Sequence, residues 1–247
     1  MDCQVEFFPL NGKKGFVLEE DFLQALTEEI DIIFLCNPNN PTGLLVEKTL
    51  LEKILKRCQE LNILMAVDEC FLDFVPSPEK YTLKEYLETY DNLFLLKAFT
   101  KRYAMAGVRL GYGLCGNKGL LRKMEGVCQP WNVSSMAQAA GLAALQEREY
   151  VEKGRQVIFQ ELAYLKEELT ALGYPVYPSQ ANYVFFTGPA DLYEKLEQKK
   201  ILIRDCSNYT GLSKGYYRVA VKKHEENQQL VRALKEIDRT KVENVIL

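Results

Sequence analysis

A lysine with a hydroxyl neighbour follows one of the apolar runs of this 247-residue sequence. Lys101 comes shortly after residues 93–96, which are predicted to form a strand; Thr100 precedes it directly, and Arg109 follows eight residues later. A lysine amine can attack a carbonyl carbon, and an arginine can bind phosphate through its planar fork of donors. Taken alone, two solvated surface cations are the simpler interpretation of such a lysine and arginine.

An acidic residue ends another apolar run. Asp68 follows residues 63–67, which are predicted to form a buried strand, and it begins the stretch Asp-Glu-Cys-Phe. A buried carboxylate without a partner is costly, so Asp68 needs a cation, and the protonated nitrogen of a heterocyclic ring is one such partner. A helix N-cap or a surface ion pair would satisfy the same carboxylate.

The third segment is a loop, residues 36–43, with the sequence Cys-Asn-Pro-Asn-Asn-Pro-Thr-Gly. Its two prolines fix the backbone angle φ and cannot join a strand ladder. Its asparagines, Asn40 among them, supply amide donors and acceptors on a rigid loop. Because Asn-Pro and Thr-Gly are also common turn dipeptides, a plain turn is an equal alternative.

Strands and helices alternate through the first half of the chain. Apolar runs predict strands over residues 4–8, 31–36, 63–67 and 93–96, and apolar residues at helical spacing predict a helix over residues 47–61. Continuous apolar strands are typical of a mostly parallel sheet covered on both faces. Ligands of open α/β sheets bind at the carboxyl ends of the strands, which is where the three segments are predicted to lie.

The second half of the chain has a different pattern. A long helix is predicted over residues 150–172, and strands are predicted over residues 201–204 and 216–221. This order indicates a compact α+β unit. We therefore expect a large domain over residues 1–147 and a small domain over residues 148–247.

The composition excludes several functions. Acidic and basic residues nearly balance, with a net charge of −3, so nucleic-acid binding is not expected. His224 is the one histidine in the sequence, which argues against a Ser-His-Asp hydrolase and against a metal site built on several histidines. Seven scattered cysteines and an N-terminus without a leader pattern predict a cytoplasmic protein. The longest uncharged stretch, residues 126–146, contains proline and polar residues, so no membrane span is expected.

Together and in this order, the three segments resemble the motifs of the fold-type I pyridoxal-phosphate enzymes, within the class I and II aminotransferase family. The family's elements are N-P-x-N-P-T-G, D-E-x-[YF], and [ST]-K with an arginine eight residues after the lysine, and the resemblance covers essentially the whole chain. It implies the aspartate aminotransferase fold, an α/β large domain with a mostly parallel sheet plus a small C-terminal α+β domain. It also implies pyridoxal 5′-phosphate as cofactor and a homodimer.

The resemblance implies a role for each matching position. Lys101 would bind the cofactor covalently and shuttle a proton at the reacting carbon. Asp68 would pair with the pyridinium nitrogen and keep it protonated, while Asn40 would hydrogen-bond the phenolic oxygen of the cofactor and contact the substrate. Arg109 would hold the cofactor phosphate, helped by Thr100.

The sequence also departs from the family pattern. Phe71 stands where many members have a tyrosine that donates to the cofactor, and Ala98 stands where a hydroxyl often reaches the phosphate. The family's glycine-rich phosphate loop and N-terminal arm have no counterpart in the sequence. We therefore expect a large domain that is incomplete at its N-terminus and that leaves an apolar face or edge exposed.

Two branches of the family resemble the chain most: threonine-phosphate decarboxylases of cobalamin biosynthesis and histidinol-phosphate aminotransferases. The stretch Arg-Asp-Cys-Ser-Asn-Tyr-Thr-Gly-Leu, which begins at Arg204, favours the decarboxylases, as does Phe71. In that branch Arg204 would bind the phosphate, and Arg218 the carboxylate, of a small phosphorylated amino acid. The alternatives are an aminotransferase, in which Arg204 is an ordinary residue at a strand edge, and an inactive chain that only dimerises.

Overall fold

The computed structural model describes residues 3–245, with the side chains described up to residue 237. The chain forms two compact units. The first consists of Val17–Asn39 and Leu45–Lys153, and the second of Met1–Phe16, Asn40–Leu44 and Gly154–Leu247. We name them the four-stranded unit and the three-stranded unit after their sheets.

The predicted domains, 1–147 and 148–247, stay a prediction. The compact units differ from them because residues 1–16 and the loop 40–44 group with the C-terminal part of the chain. Burial explains this grouping, since Phe16 and Leu44 pack in one apolar cluster with Phe185.

The four-stranded unit carries a mixed sheet. Its elements are β1 (Ile32–Cys36), α1 (Lys48–Glu60), β2 (Leu64–Asp68), β3 (Leu93–Ala98), α2 (Phe99–Arg102), β4 (Gly111–Cys115), α3 (Lys118–Val127) and α4 (Ser135–Ala144). Short 3-10 helices span Glu20–Ala25, Leu72–Phe74, Pro78–Lys80, Lys84–Tyr86 and Ala106–Val108. The strands lie in the order β1-β2-β3-β4; the first three pair in parallel and β4 runs antiparallel to β3. The predicted α/β class with a mostly parallel sheet is confirmed.

The expectation that this sheet is covered on both faces is wrong at β1. Ile33 is buried, but its neighbours Ile32 and Phe34 are exposed, Phe34 by 70% of its surface. Side chains of a strand alternate between the two faces of the sheet, so one face of β1 is covered and the other is open. The central strand β2 is different, since Met65 and Val67 are fully buried.

The three-stranded unit carries an antiparallel sheet. Its elements are a short 3-10 helix (Gly12–Lys14), the part of α5 (Arg148–Ala171) from residue 154 onward, β5 (Tyr183–Thr187), α6 (Leu192–Gln198), β6 (Arg204–Asp205), β7 (Tyr216–Ala220) and α7 (His224–Val245). The strands lie in the order β5-β7-β6, and both pairs are antiparallel.

The two faces of this sheet bury different clusters. On one face Val184, Phe186 and Tyr217 pack with apolar residues of the three helices. On the other face Phe185 packs with Phe16, Leu44 and Cys206, flanked by Tyr177, Tyr209 and Tyr216. Because the alternation has a period of two, Arg218, which pairs in register with Phe185, lies on this second face.

Some predicted elements differ from the structure. The prediction of a strand over residues 4–8 is wrong. These residues have no regular secondary structure, and Val5 and Phe7 are exposed. A run of strand-forming residues forms a strand only where a neighbouring strand offers a ladder. The strand over residues 201–204 is reduced to Arg204–Asp205, and helix α3 has no counterpart among the predicted elements.

No helix within residues 3–245 combines the length and the apolar character needed to cross a bilayer.

Candidate active site

Asp68 lies at the carboxyl end of the central strand of the four-stranded unit. It is half-buried, and it pairs in register with Cys36 on one side and Leu96 on the other. Its Oδ1 accepts a hydrogen bond from the backbone N–H of Cys70 at 2.9 Å. Within the described part of the chain its carboxylate forms no ion pair, so the negative charge of Asp68 has no cationic partner there.

The next residue, Glu69, has the opposite environment. It is fully buried, and its carboxylate lies 2.7 Å from Nζ of Lys97. It also accepts hydrogen bonds from the Thr82 hydroxyl at 2.9–3.0 Å and from the backbone N–H of Leu83 at 3.2 Å. All these partners belong to the protein, so Glu69 fixes the loop at residues 82–83 to the sheet, and Asp68 is the carboxylate left for a ligand.

The thiol beside Asp68 remains protonated near neutral pH. Burial, together with a hydrogen bond to Asp68 and the negative charge of Asp68, raises the pKa of Cys70 to about 12. A protonated thiol is a weak nucleophile. The chemistry at this strand end therefore belongs to the carboxylate, which favours the protonated form of a basic group placed next to it.

Lys101 lies on α2, which begins directly after β3. Its Nζ is exposed, lies 5.4 Å from the centroid of the Phe71 ring, and joins no ion pair among the described residues. Its neighbours are anchored instead: Arg102 forms an ion pair with Asp73 at 2.6 Å, and Tyr103 stacks on a core phenylalanine with centroids 5.0 Å apart. The short helix is thus held in place while its lysine amine is left free to react.

Thr100 follows and Arg109 precedes the residues where β3 pairs with the start of β4, and this pairing fixes the backbone next to each of them. Ala98 pairs in register with Gly111, and the N–H of residue 99 donates to the carbonyl of residue 110 at 3.1 Å. Thr100 follows residue 99 in the sequence, and Arg109 precedes residue 110. The backbone of Arg109 is in the left-handed region, with φ of 58°, and its exposed guanidinium donates to the Ala106 carbonyl at 3.2 Å. A hydroxyl and a guanidinium placed in this way can hold a phosphate group.

Asn40 lies in the three-stranded unit, on a loop that a buried serine fixes. The Ser179 hydroxyl donates to the Thr42 carbonyl at 2.5 Å and accepts from the backbone N–H of Phe185 at 3.1 Å. Gly43 has φ of +73°, and a Cβ on it would lie 2.6 Å from Cβ of Ser179, so only glycine fits there. The backbone of the loop therefore lies so close to Ser179 that a side chain at position 43 would push the two apart.

The amide of Asn40 is oriented by two donors. Its Oδ1 accepts hydrogen bonds from Nη1 of Arg218 and from the hydroxyl of Tyr209, the latter at 3.2 Å. The oxygen thereby uses both of its lone pairs. Its Nδ2 has no acceptor among the described residues, so this group is free to donate to an oxygen of a ligand.

The two arginines of this unit lie directly opposite each other on β6 and β7, since Arg204 pairs in register with Arg218. The guanidinium of Arg218 lies 4.9 Å from the ring centroid of Tyr183, and that of Arg204 lies 5.7 Å from the ring centroid of Tyr209. Arg204 also donates to Asn208 at 3.0 Å. In the described part of the chain neither arginine meets a carboxylate. The pair therefore places two positive charges on neighbouring strands without an acidic partner among the described residues.

The predicted residues thus fall into two groups. Asp68, Thr100, Lys101 and Arg109 lie at the strand ends of the four-stranded unit, where the sequence places them. The second group consists of Asn40, Arg204 and Arg218, in the three-stranded unit.

Sequence analysis missed the aromatic and amide neighbours of the arginines, which are Tyr183, Asn208 and Tyr209. The motif that begins at Arg204 contains two of them, but nothing in their spacing shows which side chain they contact. Among the described residues, no group of three or more His, Cys, Asp or Glu side chains is placed to hold a metal ion.

Comparison with known proteins gives consistent matches. The profile of the family "Aminotransferase class I and II" matches residues 1–234. A threonine-phosphate decarboxylase of Salmonella typhimurium is 36% identical over 239 residues, which cover 95% of this chain and 65% of that protein. A histidinol-phosphate aminotransferase of Methanococcus aeolicus is 30% identical over 248 residues, covering 95% of this chain and 64% of that protein.

The fold matches solved structures as well. The crystal structure of the histidinol-phosphate aminotransferase from Clostridium acetobutylicum superposes with a TM-score of 0.88 at 30% identity, covering 94% of this chain and 70% of that one. The chain spans about 65% of the length of the curated relatives it matches.

Proposed function

The chain belongs to the class I and II aminotransferase family, and we propose that it acts in a pyridoxal-phosphate-dependent decarboxylation of L-threonine O-3-phosphate. The product would be (R)-1-aminopropan-2-yl phosphate, a step of cobalamin biosynthesis. We further propose a homodimer that works in the cytoplasm, in keeping with seven free cysteines.

The observation that carries this proposal is the pair of arginines facing each other across β6 and β7. Like charges directly opposite each other destabilise a sheet, and no protein carboxylate in the described part of the chain neutralises Arg204 or Arg218. A substrate with two anionic groups removes this repulsion. Threonine phosphate carries a phosphate and a carboxylate on one small molecule, which matches two guanidinium groups on neighbouring strands.

The strand-end residues fit the cofactor of the family. Among the described residues Asp68 has a carboxylate without an ion pair for the pyridinium nitrogen, Lys101 has an amine without an ion pair for the aldehyde carbon, and Arg109 with Thr100 offers donors for the phosphate. When bound, pyridoxal phosphate supplies a conjugated ring that accepts the electron pair of a bond breaking at the substrate's α-carbon.

Each protein group then has a defined task. Asp68 holds a proton on the pyridine nitrogen, and the Nδ2 group of Asn40 donates to the phenolic oxygen. Arg218, which Asn40 and Tyr183 hold in place, fixes the direction of the substrate carboxylate. Lys101 returns a proton to the α-carbon from which carbon dioxide departs.

An aminotransferase acting on histidinol phosphate is the second candidate, favoured by the relatives of that name. Histidinol phosphate carries a phosphate but no carboxylate, so it would leave Arg218 without an anion while it is bound. Threonine phosphate uses both arginines at once, which is why we prefer the decarboxylase. An inactive dimerising chain is the third candidate.

The test compares two arginine variants in the full-length protein on L-threonine phosphate and on L-threonine, with carbon dioxide release as the measurement. Arg204→Ala should weaken catalysis on threonine phosphate about 10- to 100-fold more than on threonine, because it removes a charged hydrogen bond of roughly 1.5–3 kcal/mol. Arg218→Ala should impair both substrates alike, since both have the α-carboxylate. Arg57→Ala, which removes an exposed guanidinium on α1, is the control and should change neither.

Equal losses on both substrates in Arg204→Ala would contradict the phosphate role of that residue. Formation of a keto acid without carbon dioxide release would favour the aminotransferase. Cofactor binding without any turnover would favour the inactive chain.

A further inference from the structure

Tyr209 contacts two residues of the three-stranded unit to which we assign ligands: Arg204, assigned to the substrate, and Asn40, assigned to the cofactor. It is half-buried in the connection between β6 and β7. Its backbone is fixed at both ends, because its N–H donates to the Cys206 carbonyl at 3.1 Å and its carbonyl accepts from the N–H of Leu212 at 3.0 Å. The ring and the hydroxyl of this tyrosine have different partners, and each partner is a residue to which we assign a ligand.

The ring of Tyr209 supports Arg204. The guanidinium carbon lies 5.7 Å from the ring centroid, within the distance at which a cation is attracted to an aromatic face. Arg204 is exposed, and its guanidinium donates to Oδ1 of Asn208 at 3.0 Å. A long exposed side chain without an ion pair samples many rotamers, so the ring limits the positions in which Arg204 presents its donors.

The hydroxyl of Tyr209 supports Asn40. It donates to Oδ1 at 3.2 Å, on the same oxygen that accepts from Arg218. Rotating the amide by half a turn would bring its N–H₂ group against the Arg218 guanidinium, which cannot accept, and would break the hydrogen bond that the hydroxyl donates. The hydroxyl therefore helps to keep Nδ2 on the side where it is free to donate.

We propose that Tyr209 is a positioning residue with two separable actions: its ring holds Arg204 for a phosphate ester, and its hydroxyl holds the Asn40 amide for the phenolic oxygen of the cofactor. This inference rests on the proposed function, because it assumes the ligands assigned above to Arg204 and Asn40. It adds a residue whose removal affects phosphate recognition and cofactor binding through different atoms.

The experiment separates the ring from the hydroxyl with Tyr209→Phe and Tyr209→Leu in the full-length protein. Titration calorimetry measures the affinities for O-phospho-L-threonine and L-threonine, and absorption spectra and titration with pyridoxal phosphate report on the cofactor. Tyr86→Phe is the matched control, because it removes a hydroxyl that donates to Glu52 at 2.7 Å in the four-stranded unit.

We expect Tyr209→Phe to keep the preference for the phosphorylated ligand within about twofold of wild type while the visible band shifts and cofactor affinity falls. Tyr209→Leu should show the same cofactor change and also lose about tenfold of the phosphate preference, which corresponds to about 1.4 kcal/mol. The control should match wild type in both measurements.

Three results would overturn the inference. If both variants behave as wild type, Tyr209 has no positioning role, and the proposed function stands. If Tyr209→Phe loses as much phosphate preference as Tyr209→Leu, the ring is not the support of Arg204. If the wild-type protein itself shows no preference for the phosphorylated ligand, the phosphate site at Arg204 fails, and this inference fails with it.

Discussion

The strand ends of the four-stranded unit and the β6–β7 edge of the three-stranded unit hold their candidate functional groups in different ways. At the strand ends the reactive side chains have few contacts, and the residue next to each of them is anchored. Glu69 is buried beside the half-exposed Asp68, and the Arg102–Asp73 ion pair stands beside the free Lys101. Beside β6 and β7, in contrast, Arg218 and Tyr209 both donate to the side-chain oxygen of Asn40.

The difference shows two ways of preparing a site. At the strand ends the backbone sets the positions of the reactive side chains. Each of these side chains therefore keeps hydrogen-bonding capacity or charge for a ligand. At the β6–β7 edge the side chains set each other's positions, so a change at one of them disturbs the rest. Single substitutions should therefore have local effects in the first region and coupled effects in the second.

The largest effect is expected at Lys101. In Lys101→Ala the covalent attachment of pyridoxal phosphate should be lost completely, because the other lysine near this strand end, Lys97, is bound to buried Glu69. Borohydride reduction followed by mass spectrometry of the full-length protein measures the attachment. Lys56→Ala, on the exposed side of α1, is the control and should retain it. A trapped adduct in Lys101→Ala at the wild-type amount would refute the assignment.

The next effect contrasts two neighbouring carboxylates. Asp68→Asn should slow turnover about 10²- to 10³-fold, because the amide cannot hold a proton on the pyridine nitrogen, while the free energy of unfolding stays near wild type. Glu69→Gln should do the reverse. It leaves Lys97 without its buried partner, so we expect the free energy of unfolding to fall by about 3 kcal/mol and the folded fraction to keep its turnover.

Urea unfolding and steady-state kinetics on the same preparations measure both quantities. An N-cap or turn role for Asp68 predicts instead that asparagine substitutes well and that turnover is unchanged. Near-normal turnover in Asp68→Asn would therefore contradict the assignment of a catalytic role to Asp68 and a structural role to Glu69.

The smallest effect concerns the loop that carries Asn40. Gly43→Ala places a Cβ 2.6 Å from Cβ of Ser179 at a φ of +73°, whereas Gly173→Ala meets no atom within 4 Å at a φ of +80°. Both variants bear the backbone cost of about 1–2 kcal/mol, and Gly43→Ala adds an overpacking cost of about 1–3 kcal/mol. The midpoint of thermal unfolding should therefore be lower for Gly43→Ala than for Gly173→Ala. Only Gly43→Ala should weaken cofactor binding, since it displaces Asn40. Equal behaviour of the two variants would show that the loop adapts.

The sequence predicted the first region better than the second. Apolar runs at residues 31–36, 63–67 and 93–96 became β1, β2 and β3 with ends shifted by one or two residues. A short continuous apolar run with several β-branched residues favours a strand, and a polar residue that follows it lies near the carboxyl end of that strand. The positions of Asp68 and Lys101 follow from this rule.

The failures have a common cause in contacts between distant residues. Residues 4–8 have the composition of a strand, but within residues 3–245 no strand pairs with them. The loop 40–44 groups with the C-terminal part of the chain through buried contacts with Ser179 and its neighbours. No local sequence pattern predicts these contacts.

The sequence by itself determined the α/β class, the order of the strands along the chain, and the residue types available at the strand ends. These depend on hydrophobic periodicity and on motifs a few residues long. Only the tertiary structure decided that Arg204 faces Arg218, that Tyr209 lies against one arginine and bonds to Asn40, and that Glu69 rather than Asp68 is the buried carboxylate. Each of these depends on strand register and on which side chains meet across the sheet, and a shift of one residue in register would have turned them to the opposite face.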